Sequence, residues 1–173
     1  MRQLQVTDFS CIKSARLELG SVTVLIGPQA SGKSVLTKLA YFAIDIGTNL
    51  HQHLINRDSL EKLSAAVKGR FVDWFPREAW GSGKFKIHFQ AGDYAVSFAR
   101  RIYRGKISDE FQLKFSAGFV ATYASLLTEI GKTSSTGNDA ELGFLEREMR
   151  IRDISQTRFS ELMGQDAVQY QAF

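Results

Sequence analysis

At 173 residues, 44% of them hydrophobic and 23% charged, the chain suits one globular domain with at most a small appendage, which excludes disorder and collagen-like structure. Apolar runs of about five residues, where a bilayer helix needs about 20, exclude a membrane span; the apolar-poor start MRQLQVTDF and the single Cys11 predict a reducing, cytoplasmic setting. The net charge of +4 permits a polyanionic partner without requiring one.

Residues 3–9 and 15–19 read as short strands joined by a polar turn at Ser10–Ser14. VTVLI at 22–26 is continuously apolar and β-branched, which predicts a central strand buried on both faces. GPQASGKS (27–34) follows, and then Val35, Leu36, Leu39, Phe42, Ala43 and Ile46 fall at helical spacing, with Gly47 ending the helix. A second helix is predicted from Asp58 to about Trp74 and is closed by Pro76, and 78–84 is a loop. FKIHF, YAVSF and FQLKF alternate apolar and polar residues and predict a small antiparallel sheet with one wet face; Ala91-Gly92-Asp93 turns between the first two. Ser116 caps a helix carrying Phe119, Val120, Tyr123, Leu127 and Ile130. Residues 131–139 read as a linker, 140–163 as one or two polar helices, and AVQYQAF (167–173) as a strand. The fold class is therefore expected to be α/β: a mixed sheet around 22–26 with the 33–46 helix packed on it, plus a small antiparallel lobe.

The sharpest feature is Gly27-Pro28-Gln29-Ala30-Ser31-Gly32-Lys33-Ser34, a full match to G-x-x-x-x-G-K-[ST]. Gly27 and Gly32 let the backbone turn so that successive amides face a polyphosphate. Lys33 brings a mobile positive charge to the outer phosphates, and the Ser34 hydroxyl suits a Mg²⁺ position. The helix that begins here, through Val35, adds its free amides and dipole. A nucleotide's phosphates and Mg²⁺ are the expected ligands, held by residues 27–35, with Lys33 and Ser34 as the reactive pair. Hydrolysis also needs a carboxylate at the end of a second apolar strand. Asp45 follows Tyr41-Phe42-Ala43-Ile44 but lies within the predicted helix, and Glu129 has the same fault. No D-x-x-G occurs and Asn56-Arg57-Asp58 is not N-K-x-D, so a GTPase is excluded.

The stretch VTDFSCIKSARLELGSVTVLIGPQASGKSVLTKLAYF resembles the start of ABC-type ATPase heads of the SMC, RecF and OLD kind, a branch of the P-loop NTPases. Phe9, Ile12, Leu17 and Leu19 occupy the hairpin positions of that family, and Ser31 beside Gly32 is typical of it. The P-Q-A-S-G-K-S variant looks like AAA-type ATPases of bacterial anti-phage systems, retron-associated and Septu-like ones included. The resemblance is sharp over 4–45, looser over 84–130 and faint beyond 131. It implies the N-terminal lobe of a longer head, because the glutamine loop, signature, acidic strand end and switch histidine have no counterpart here. Gln165, Gln169 and Gln171 lack the right context. The implied action is ATP-driven engagement of two heads, as a homodimer or with a C-terminal ATPase half, linked to DNA or to defence with a nuclease or reverse-transcriptase partner.

Other signals read more plainly. Arg100, Arg101, Arg104 and Lys106 suit a solvated sheet edge better than a nucleic-acid contact. The aromatics are core, His51 and His53 lack a third metal ligand, Lys13 and Arg16 are exposed charges, and Cys11 is inert. Two alternatives stay open: a non-hydrolysing, nucleotide-dependent recruitment module, and a small P-loop kinase whose lid would use Arg147, Arg150, Arg152 and Arg158.

Overall fold

In the computed structural model, which describes residues 1–103, 106–133 and 143–164, five strands make one antiparallel sheet in the order β2-β1-β3-β4-β5. β1 (Arg2–Phe9) and β2 (Ile12–Leu19) form the first hairpin, and β3 (Phe85–Ala91), β4 (Tyr94–Tyr103) and β5 (Lys106–Phe115) continue the sheet from β1. Register explains the two faces. Leu17, Leu4, Phe89, Val96 and Phe115 lie side by side across all five strands, as do Ala15, Val6, Ile87, Phe98 and Leu113. The rows between them carry Ser14, Thr7, Lys86, Ala99 and Gln112, then Arg16, Gln5, His88, Ser97 and Lys114. Period-two alternation thus puts every apolar row on one face.

The helices cover that face. α1 (Lys33–Thr48) and α3 (Leu60–Trp74) bring Phe42 and Phe71 against Phe9 and Phe98, with the Phe71 and Phe98 rings stacked 4.7 Å apart. Ser59 caps α3 by accepting from the Lys62 amide. A 3₁₀ turn at Arg77–Trp80 buries Trp80, whose indole N–H donates to the Phe75 carbonyl at 2.6 Å. α4 (Ala117–Thr133) starts where the Ser116 hydroxyl accepts from the Phe119 amide, and α5 (Phe144–Leu162) packs across α1, α2 (Leu50–Ile55) and α4. Tyr94 ties the layers together by donating to the Ala43 carbonyl at 2.7 Å. Its burial holds the phenol proton far above the ordinary range.

Several expectations are corrected. Residues 22–26 form no strand: Val22, Val24 and Ile26 are 85%, 73% and 92% exposed. A central strand needs neighbours to satisfy its amides, and among the described residues every ladder belongs to β1–β5. The sheet is accordingly antiparallel, not mixed, and the three later strands join the β1–β2 hairpin instead of forming a separate lobe. α1 runs one residue past Gly47, to Thr48, and Gly47 is the surface against which Phe159 of α5 lies. A Cβ there would stand 1.8 Å from the ring. A short α2 (Leu50–Ile55) follows, unpredicted, and residues 131–133 belong to α4 instead of a linker. The rest of that predicted linker and the predicted strand at 167–173 lie outside the described residues.

Candidate phosphate-binding site

The β1–β2 hairpin builds the floor on which the 27–34 loop rests. Gly32 sits at φ +87° against the hairpin turn, where a Cβ would stand 2.7 Å from Ile12 Cγ1 and 3.2 Å from Cys11 Sγ. Glycine is thus required twice, by backbone conformation and by space. Two residues earlier, Ala30 holds φ +61°, a left-handed conformation that costs a side-chain-bearing residue about 1–2 kcal/mol. Left-handed residues alternating with others are the backbone pattern from which anion-binding nests of successive amides are built.

Lys33 folds back over the loop. Its ammonium donates to the carbonyls of Gly27, at 2.8 Å, and Pro28, and to the Ser31 hydroxyl at 3.3 Å. α1 then begins, with the Leu36 amide reaching the Gly32 carbonyl at 2.9 Å. The amides of Lys33, Ser34 and Val35 precede that first helical bond, and no acidic side chain or cap neutralises the turn. Gly27–Ser31 and Ser34 are exposed, and Ser34 makes no hydrogen bond through its side chain among the described residues. The arrangement gathers amides, one ammonium and one free hydroxyl on a solvent-facing surface. Such a donor set suits a polyphosphate with a divalent cation.

The decoys of the sequence are placed elsewhere. Asp45 lies three turns along α1, in an ion pair with Arg70 and a 2.7 Å hydrogen bond from Asn49, so it holds α1 to α3. Glu129 lies on α4. Arg158 pairs with Glu161 at 3.4 Å, beside the Phe159 that meets Gly47, about 21 Å along α1 from Lys33. Arg147, Arg150 and Arg152 share its helix. His51 is buried with Nδ1 3.3 Å from the Thr48 carbonyl, and His53 Nδ1 is 2.9 Å from Asp58. No group of three or more His, Cys, Asp or Glu that could hold a metal occurs among the described residues. Cys11 is exposed in the hairpin turn. The sequence does not reveal that Cys11 and Ile12 underlie Gly32, because that contact joins segments twenty residues apart through the fold.

No family model, no curated protein and no solved structure matches this chain. No helix among the described residues is long and apolar enough to cross a membrane.

Proposed function

We propose that the chain binds ATP with Mg²⁺ through residues 27–35, as the N-terminal lobe of an ABC-type ATPase. The observation that carries this reading is the pair of left-handed residues, Ala30 and Gly32, with the Lys33 ammonium folded back onto the Gly27 and Pro28 carbonyls of the same loop. Lys33 would leave the loop carbonyls for the outer phosphates, Ser34 would offer its hydroxyl to the metal, and the loop amides would line the phosphate chain. When bound, Mg²⁺ supplies charge neutralisation at the phosphates.

Turnover is assigned to a second unit, a homodimer partner or a C-terminal ATPase half. In support, no carboxylate hydrogen-bonds to the loop among the described residues, and Val22, Val24 and Ile26 offer an apolar run beside it. The resemblance adds a DNA-linked or anti-phage setting. Calorimetric titration with Mg-ATP tests the site: Lys33→Ala is expected to weaken binding at least tenfold, about 1.4 kcal/mol. Unchanged affinity in that variant overturns the assignment.

A further inference from the structure

We propose that the cavity between α1 and α5 is a subsite for the primary carboxamide head of a small neutral molecule. The two helices meet where the Phe159 ring lies on Gly47. A pair of residues on each helix flanks that contact, Ile44 and Thr48 on α1 and Gln156 and Ser160 on α5. The members of each pair are one turn apart and so share a helix face. Together with Phe159 they line a cavity of about 80 Å³. Phe159 and Ser160 are buried, while Ile44, Thr48 and Gln156 are half-buried and leave the cavity open to solvent on their side.

Ser160 is the residue that calls for a ligand. It is only 7% exposed, and its hydroxyl has no hydrogen-bond partner among the described residues. Ser155, buried in the same helix, donates to the Arg152 carbonyl at 2.8 Å, the local bond by which a helical serine satisfies itself. Ser160 makes no such bond and lines the cavity instead. A buried hydroxyl left unbonded is costly, so a partner from outside the fold is favoured there. The Gln156 carboxamide beside it is equally without a partner among the described residues, and offers one acceptor and two donors. The Thr48 hydroxyl donates to the Asp45 carbonyl at 3.0 Å, which leaves it only lone pairs for a ligand.

These groups select the ligand. No charged side chain lines the cavity among the described residues, so an ion entering it would lose water without meeting a counter-charge. Thr48 needs a donor, Gln156 needs both a donor and an acceptor, and Ser160 takes either. A primary carboxamide brings two donors and an acceptor in one planar group, where an alcohol brings a single donor. Ile44 and the Phe159 ring receive the adjoining carbon. A cavity of about 150 Å³ holds a benzene ring, so the 80 Å³ here holds about three or four heavy atoms, the head group and one carbon. The remainder of a larger ligand leaves by the open side. Ile44 lies about 17 Å along α1 from Lys33, so this subsite is separate from the phosphate loop.

Amide proton–nitrogen correlation spectra of the full chain, titrated with acetamide, test the proposal. Saturating shifts are expected at Ile44, Thr48, Gln156, Phe159 and Ser160, with a dissociation constant in the millimolar range for so small a probe. Ser160→Ala and Gln156→Leu should each weaken acetamide binding about fivefold, the loss of one hydrogen bond. Ser160→Ala should melt no lower than the parent, because its hydroxyl has no bond within the fold to lose. Dimethylacetamide, which has no N–H, and acetate, which is charged, should bind about fivefold more weakly than acetamide or worse. Lys33→Ala should bind acetamide as the parent does, which separates this subsite from the nucleotide site. Shifts that rise without saturating overturn the proposal and leave a cavity filled by water alone. So do equal binding of acetamide and dimethylacetamide, tighter binding of propanol than of acetamide, a lowered melting temperature of Ser160→Ala, and acetamide binding unaltered in both variants.

Discussion

At the scale of single residues, the phosphate loop holds one position against the preference of its side chain. Ala30 holds a left-handed conformation that glycine adopts freely. Ala30→Gly is expected to raise stability by about 1 kcal/mol through that relief, with nucleotide affinity retained, as thermal unfolding and calorimetry would show. Gly32→Ala should behave oppositely, since the added methyl meets Ile12 and the backbone is strained as well. Asp58 provides a second residue-scale test. The hydrogen bond from His53 holds its carboxyl below the ordinary 3.8, with Lys62 adding to the effect against a smaller opposing cost of burial. A carboxylate whose folded value is depressed stabilises the protein above the unfolded value, and that contribution fades as pH falls through the depressed one. The gap in melting temperature between the parent and Asp58→Asn should therefore be widest near neutrality and close below pH of about 4. Neighbouring Tyr123, whose hydroxyl donates to the Asp58 carbonyl at 2.8 Å, is pushed up to about 12 by burial and by the Asp58 charge, so it does not titrate in that window.

Among elements, the decisive contact is α1 with α5. Gly47 presents bare backbone to the Phe159 ring, so Gly47→Ala should cost about 1–3 kcal/mol or more by overpacking, readable as a lowered denaturant midpoint with unchanged slope. That contact also shows why some of the fold could be read from the sequence and some could not. Phe85, Ile87 and Phe89 alternate with polar residues because one face of β3 is buried, and such a period is visible locally. The stripe Leu63, Val67 and Phe71 predicted α3 for the same reason. Gly47 looked like a helix end because the partner that needs its missing side chain stands more than a hundred residues later. α2 was missed because its buried Leu50, His51 and Leu54 are too few to show a helical period. The phosphate loop was legible since its backbone demands act within eight residues, while its hairpin floor was hidden for want of any local signature.

For the molecule as a whole, the question is what a sheet does with an apolar segment it does not use. β-branched composition predicted that 22–26 would be a central strand, but pairing is a property of neighbours and not of the strand itself. In the folded chain, only Leu25 of this run packs toward the core, while Val22, Val24 and Ile26 face solvent. Thirteen consecutive residues from Gly20 to Gly32 carry no charge, so nothing in the run discourages association with another extended segment. Val24→Lys removes no buried contact of consequence, so its effect on stability should stay within about 0.5 kcal/mol. Its effect on association should be large by comparison. Light scattering across a concentration series is expected to show the parent chain forming dimers or larger species while the Val24→Lys chain stays monomeric. If both chains scatter as monomers throughout, the run is inert on its own and the apolar edge does not drive assembly. A drop in melting temperature with Val24→Lys would instead mean that 22–26 is buried in solution, against the exposure of Val22, Val24 and Ile26 in the folded chain.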